Sequence, residues 1–257
     1  MSQRDEQNMV YGVNAVLEAL RAGRRQIETI TILQSARPDR LKAVLELARE
    51  KGVPVQRVPR LDLDRSLGEA RHQGVVARIA AAHYADADEL LDKLAAKVGT
   101  PDPPLVLGLD AIEDPRNMGS MVRTAECAGV HGVFIAERRA VGLTGAVAKV
   151  AAGALEYVPV ARVTNLVRLI EQLKERNIWV VGAAAEAKQT YTEWDWTLPA
   201  AIFLGNEGHG LHRLVREHCD TLVRIPVVGK LDSLNVSVAA GVLLYEARRQ
   251  RNSVSRG

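Results

Sequence analysis

Apolar and polar positions recur along this 257-residue chain with two different periods, and the changes of period divide it into segments. In GVNAVLEALRAG the apolar residues fall at helical intervals and stop near Gly23, which predicts a short amphipathic helix. IETITIL alternates as a half-buried strand does. DRLKAVLELAREKG predicts a helix capped by Asp39 and stopped by Gly52, and VPVQRV and HQGVVARIA predict two further strands. Together these make a small α/β unit over residues 1–80. HYADADELLDKLAAKVGTPDPP is acidic, helical in part, and closes with Pro101, Pro103 and Pro104, so residues 81–103 are expected to form a linker.

From residue 104 the pattern becomes strand followed by helix. LVLGLD is a continuous apolar run of the kind found in a parallel strand covered on both faces. The loop AIEDPRN, the helix MGSMVRTAECAG and a second run, VHGVFIA, follow it. NLVRLIEQLKERN with IWVVGAAA, and AAIFLGNEGHG with LHRLVREHC, repeat the alternation. Residues 104–257 are therefore expected to fold as an α/β domain on a mainly parallel sheet. The last segment, KLDSLNVSVAAGVLLYEARRQR, reads as a helix over residues 230–251 whose first turns carry Ser233, Asn235 and Ser237 among apolar neighbours.

Composition then narrows the class. With 47% hydrophobic and 25% charged residues the chain is globular rather than disordered. No apolar run reaches the ~18 residues of a membrane helix, and MSQRDEQNMV lacks the order of a secretory signal, so a cytoplasmic protein with no membrane partner is expected. Cys127 and Cys219, far apart in helix-like surroundings, are expected to be two buried thiols. Residues 1–80 hold 14 Lys and Arg against 10 Asp and Glu, residues 81–103 hold 2 against 5, and residues 104–257 hold 18 against 16. The basic first segment, with Arg21, Arg24 and Arg25 close together, suits contact with phosphates.

Three loops stand where open α/β sheets bind their ligands: DPRNMGSMVR, LGNEGHGL and IPVVGKLDSLNVS. There is no GxxxxGK[ST], and no GxGxxG follows the first strand, which argues against NTPase and dinucleotide-binding folds. Glu207 stands among the glycines of the second loop and would repel a phosphate, so this loop should meet something neutral or cationic. An adenosyl group bearing a positive sulfonium meets that need. Gly205 and Gly208 allow close backbone approach, and Ile225 and Leu234 can supply apolar walls. Ser233 and Asn235 can hold ligand and substrate at the mouth of a helix, or they and Ser237 can simply cap it and bond to local backbone. His209, His212, His218 and Cys219 scatter over different faces of a helical pattern, so no metal site is expected.

DPRNMGSMVRTAECAG, FLGNEGHGL and IPVVGKLDSLNVSVAAGVLLYEA, in that order between Leu105 and Arg251, resemble the three motifs of the SPOUT class of S-adenosylmethionine-dependent RNA methyltransferases, in the branch that methylates ribose 2′-hydroxyls. YGVNAVLEAL and HQGVVA further resemble the amino-terminal domain of the bacterial family acting on a guanosine ribose of 23S ribosomal RNA, which extends the likeness over nearly the whole chain. The resemblance implies an α/β fold in which a carboxyl-terminal parallel-sheet SPOUT domain with a trefoil knot is preceded by a small α/β RNA-binding domain. Periodicity foretells no knot, since ordinary connections do not thread loops. The resemblance also implies S-adenosyl-L-methionine as cofactor, large-subunit ribosomal RNA as substrate, no metal, and a homodimer with active sites at the subunit interface.

Carried over residue by residue, the likeness puts cofactor contacts at Gly205, Ile225 and Leu234 and catalytic roles at Asn117, Arg123, Glu207, Ser233 and Asn235. Relatives give the Arg123 position the proton-abstracting role. A guanidinium stays protonated, so the expected role here is a clamp on the phosphate beside the target ribose. The alternatives are a transfer RNA ribose methylated by the same chemistry, an α/β enzyme using another nucleotide, and an RNA-binding module without catalysis.

Overall fold

The computed structural model describes residues 9–23, 25–36, 38–67, 72–80 and 83–254. By its internal contacts the chain forms two compact units, Met1–His83 with Gly142–Tyr157 and Tyr84–Val141 with Val158–Gly257.

The first unit carries a mixed four-stranded sheet in the order β1-β4-β2-β3, from β1 (Met9–Tyr11), β2 (Ile27–Leu33), β3 (Val55–Val58) and β4 (Val75–Ile79). Strand β4 runs antiparallel to β1 and β2, while β3 runs parallel to β2. Helices α1 (Val13–Ala22), α2 (Pro38–Glu50) and α3 (Arg60–Leu67) complete its first stretch. Helix α1 ends where Gly23 turns to φ 61 and its N–H closes on the Ala19 carbonyl, as the Gly23 stop anticipates. Asp39, expected as a cap, lies inside the first turn, because Pro38, with its fixed φ, already opens α2. Val16 and Leu20 of α1 share a core with Leu41 and Val44 of α2 and with Ile30 and Ile32 of β2.

All seven strands of the second unit run parallel, in the order β7-β6-β5-β10-β8-β11-β9. They are β5 (Leu105–Leu109), β6 (Gly132–Ala136), β7 (Val160–Val163), β8 (Trp179–Ala183), β9 (Gln189–Thr190), β10 (Ala200–Leu204) and β11 (Thr221–Arg224). Along this stretch of chain the helices are α4 (Ala87–Ala95), α5 (Pro115–Cys127), α6 (Gly145–Ala151), α7 (Leu166–Glu175), α8 (Arg213–His218) and α9 (Val236–Val254), all but α6 belonging to this unit. Every residue of β5 and of β10 is buried, which is why these strands are apolar without alternation. Gly108 and Phe203 stand opposite each other in this pair, and a Cβ on Gly108 would come within 2.5 Å of the Phe203 ring, so the glycine makes room for the aromatic side chain.

Of residues 81–103, expected as a linker, 84–103 contribute to the second unit instead. The Asp86 carboxylate caps α4 by accepting from the Glu89 N–H, and Leu90, Leu91 and Leu94 are buried in one core with Val106, Phe134 and Ile170. Burial of each leucine contributes about 1.5–3 kcal/mol. The acidic residues of this segment line the opposite, solvated face of α4, and they are what made its composition read as a connector.

In the other direction, α6 and the following 3-10 turn Ala154–Glu156 belong to the first unit. Ala148 joins its core, and the buried Glu156 carboxylate pairs with Arg25. Arg25, expected to face a phosphate, is therefore committed inside the unit. Arg21 pairs with Glu18 at 2.7 Å but stays exposed, and Arg24 lies outside the described residues. The two cysteines are free, as expected, but only Cys219 is largely enclosed, where burial pushes its thiol up to about 12. Cys127 is exposed near the end of α5, because the buried stripe of that helix runs through Met118, Met121, Val122 and Ala125. Among the described residues no helix is long and apolar enough to cross a membrane.

Helix α9 is fastened at its far end by Arg251, whose guanidinium donates to the carbonyls of Pro103 (2.6 Å), Pro104 (2.9 Å), Trp196 (2.8 Å) and Leu198 (2.9 Å). Burial lowers this group to about 10, yet the four carbonyls keep it satisfied. Replacing Arg251 by Met should cost about 3–5 kcal/mol, because those acceptors lose their donor. Urea denaturation would show this as a lower midpoint at an unchanged slope.

Candidate active site

Three loops meet at the carboxyl edge of the parallel sheet, after β5, β10 and β11. The first leads into α5. Asp114 is its N-cap, accepting from the Arg116 N–H at 2.6 Å, and Pro115 fills the first helical position. The helix thus begins three residues before the expected MGSM, and Asn117 falls in its first turn without being needed as a cap.

The second loop is a tight curl. Gly205 has no room for a side chain, since a Cβ there would lie 2.0 Å from the carbonyl carbon of Gly210. Asn206 pairs with Gly210 across the turn, its Oδ1 accepts from the Gly208 N–H at 2.8 Å, and its Nδ2 donates to the Ala111 carbonyl at 3.1 Å. Behind the curl, buried Asp110 accepts from the His212 backbone N–H at 2.8 Å and faces its Nδ1 at 2.9 Å. Sequence reasoning missed this pair. Its only signal was an aspartate directly after an apolar strand and a histidine two residues after a glycine turn.

The third loop corrects an expectation. Residues 230–235 are not helical, because α9 begins only at Val236 and Asn235 is its cap. Asn235 Oδ1 accepts from the Ser237 N–H at 3.0 Å, the Val238 N–H at 3.4 Å and the Ser237 hydroxyl at 2.5 Å. That commits its Nδ2 to donate outward, to Asn117 Oδ1 at 3.0 Å and to Glu207 Oε1. Asn117 must then turn its own Nδ2 to Glu207 Oε1, at 2.8 Å. The Val236 N–H also points at this oxygen, at 3.4 Å. The helix terminus therefore sets the orientation of both amides, and the carboxylate sits at the positive end of a 19-residue helix.

Glu207 and Ser233, with the proposed cofactor contacts Gly205, Ile225 and Leu234, line one cleft of about 400 Å³. Asn117 and Asn235 reach it through Glu207. Ser233 is exposed and makes no hydrogen bond to a described residue. Arg123 lies apart: six residues beyond Asn117 it has turned about 240° around α5, is exposed, and makes no hydrogen bond or ion pair to a described residue. Of the charged groups in the cleft, Arg216 pairs with Glu186, leaving Glu207 and Asp232 in excess. A net-acidic cleft with backbone curls and apolar walls fits a sulfonium-bearing adenosyl group and disfavours a polyphosphate. No group of His, Cys, Asp and Glu able to hold a metal occurs among the described residues.

A parallel α/β sheet with such a cleft on its carboxyl edge suits one class in particular, that of methyltransferases using S-adenosylmethionine. Comparison with known proteins gives the family: SpoU rRNA Methylase matches residues 104–245, and the module described as RNA 2′-O ribose methyltransferase substrate binding matches residues 9–85. The chain belongs to the SpoU rRNA methylase family. It is 46% identical, over 99% of both chains, to the Bacillus subtilis protein YacO, named for the TrmH family of tRNA/rRNA methyltransferases. It is 43% identical to the 23S rRNA (guanosine-2′-O-)-methyltransferase RlmB of Shewanella oneidensis, over 96% of this chain and 99% of that one. Among solved structures it resembles the SpoU methyltransferase AviRb of Streptomyces viridochromogenes in complex with AdoMet, with a TM-score of 0.77 at 27% identity, covering 95% of this chain and 90% of that one.

Two substitutions test the geometry. Gly205→Ala should push the curl off β10 and weaken binding of S-adenosylhomocysteine roughly tenfold or more, read by titration calorimetry. Asn235→Asp keeps the cap but sets a second carboxylate against Glu207. Its kcat/KM should fall about 10–100-fold while stability stays within about 1 kcal/mol.

Proposed function

We propose that this chain methylates the ribose 2′-hydroxyl of a guanosine in large-subunit ribosomal RNA. The observation that carries this reading is the Asn117–Glu207–Asn235 network, preorganised at the lip of an acidic, glycine-walled cleft. The name of the Shewanella relative supports the guanosine target, and that of the Bacillus relative leaves transfer RNA as the rival.

Gly205, Ile225 and Leu234 would hold S-adenosylmethionine, which supplies an electrophilic methyl carbon when bound. What the protein must add is position. Alignment of bound reactants is worth as much as ~7–11 kcal/mol, against about 3–5 kcal/mol for a placed acid or base. Asn117 and Ser233 are the groups we assign to hold the ribose, with Glu207 and Asn235 fixing Asn117. Arg123 clamps the neighbouring phosphate with its guanidinium fork and steadies the ribose oxygen as its proton leaves to phosphate or water. Residues 1–80, the basic segment, supply the RNA contacts beyond the target nucleotide.

Because Arg123 stands away from its own chain's cleft, we assign it to the cleft of a second copy in a homodimer. The exposed Val238 and Tyr245, two turns apart on α9, give that copy an apolar stripe beside α5, the helix that carries Arg123. We assign the loops after β10 and β11 to the trefoil knot that the family likeness implies.

Mapping 2′-O-methyl groups in ribosomal and transfer RNA from cells lacking the protein tests the target: a single lost guanosine methyl in 23S RNA is expected, and a loss confined to transfer RNA would refute it. Arg123→Lys should lower kcat roughly 10–100-fold because the fork is gone, and full activity would contradict the clamp. Tyr245→Glu should give a monomer by light scattering with matching loss of methyl transfer. An active monomer would rule out a shared site.

A further inference from the structure

On the other side of the Asn206–Gly210 turn lies a second hollow, of about 200 Å³, lined by Ala111, Glu113, Arg139, Asn206, His209 and His212. Its frame is stitched from three loops. Asn206 Nδ2 donates to the Ala111 carbonyl at 3.1 Å, the Val141 N–H to the Ile112 carbonyl at 2.9 Å, and the His212 N–H to Asp110 at 2.8 Å. Ala111 and Arg139 both hold a left-handed backbone, φ 56 and φ 58, a strain that persists only where the surroundings dictate it.

Inside this fixed frame two opposite charges are unspent. Glu113 and Arg139 are both exposed, and neither forms a hydrogen bond or ion pair with a described residue, the other included. A ligand that is wholly anionic would be repelled by Glu113, and one wholly cationic by Arg139. A flat group with donors along one edge and acceptors along another satisfies both. Guanine is such a group: N1–H and the 2-amino group donate to a carboxylate, while O6 and N7 accept from an arginine fork. No other standard base offers that pair of edges. The hollow is also smaller than the ~300–1,000 Å³ of pockets that enclose a whole drug-sized ligand, as suits one base. It shares Asn206, His209 and Gly210 with the donor cleft, so a base seated here belongs to a nucleotide lying at Glu207.

We propose that Glu113 and Arg139 form the guanine-reading subsite of this enzyme, with the His209 imidazole stacking on the base. The proposal rests on the guanosine methylation argued above and adds the residues that select the base. The test compares RNA substrates whose target guanosine is replaced by inosine, which lacks the 2-amino group, or by 7-deazaguanosine, which lacks N7. Methyl transfer by the full-length protein is read as kcat/KM. The wild type should lose roughly tenfold or more on each analogue. Arg139→Ala should lose as much on guanosine yet show no further loss on 7-deazaguanosine, and Glu113→Ala should likewise cease to distinguish inosine. Affinity for S-adenosylhomocysteine should not change in either variant, which separates base reading from damage to the donor cleft. If both variants discriminate the analogues as the wild type does, the proposal is overturned. It is equally overturned if Arg139→Ala slows all substrates alike with a shallower salt dependence, the signature of a phosphate contact. Those results leave guanosine methylation standing, whereas no methyl transfer by the wild type to any guanosine substrate would overturn both.

Discussion

One oxygen atom, Oε1 of Glu207, joins the three loops at the carboxyl edge of the second unit. It draws on Asn117 from the loop after β5, on Asn235 from the loop after β11, and on the first N–H of α9, while its own residue belongs to the loop after β10. A neutral side chain at this position could not accept so many donors, and a longer or mobile one could not sit at a helix terminus with its geometry fixed. The charge is at home there because the helix end supplies partial positive charge and two amides turn their donors inward. The carboxylate that the sequence marks only as hostile to a phosphate is the acceptor around which the site is arranged.

Most of the elements in the second unit were legible, because burial on both faces leaves an apolar run such as LVLGLD that resembles little else. Short pieces were not. Strands β1 and β9 hold three and two residues, too few to display a period. Helix α4 was half hidden by its acidic face, since a buried stripe of three leucines is a weak signal inside a segment dominated by carboxylates and prolines. The site residues were legible as a set of motifs, yet their relations were not. That Asp114 and not Asn117 caps α5, and that Asn235 both caps α9 and bonds across to another loop, follow from where helices begin. Boundaries are what periodicity fixes least well. Arg25 shows the same limit for charge: a basic cluster in sequence says nothing about a buried glutamate more than a hundred residues away.

The Asn206–Gly210 turn serves two chambers at once, with the larger, net-acidic one on one side and the smaller, mixed-charge one on the other. Gly205 allows the chain to double back onto Gly210, and the Asp110–His212 pair braces the turn from behind. Asn206, His209 and Gly210 face both chambers.

The detour of residues 142–157 into the first unit has a consequence for biosynthesis. Although that unit begins at the amino terminus, its core lacks Ala148 and its Arg25 lacks Glu156 until the ribosome has delivered a stretch from beyond β6. At translation rates of about 5–20 residues per second, the interval spans several seconds in which β5 and β6 already exist as chain. The first unit therefore closes only after residue 157 has been made, and a protein cut before residue 142 would leave Arg25 without its carboxylate partner.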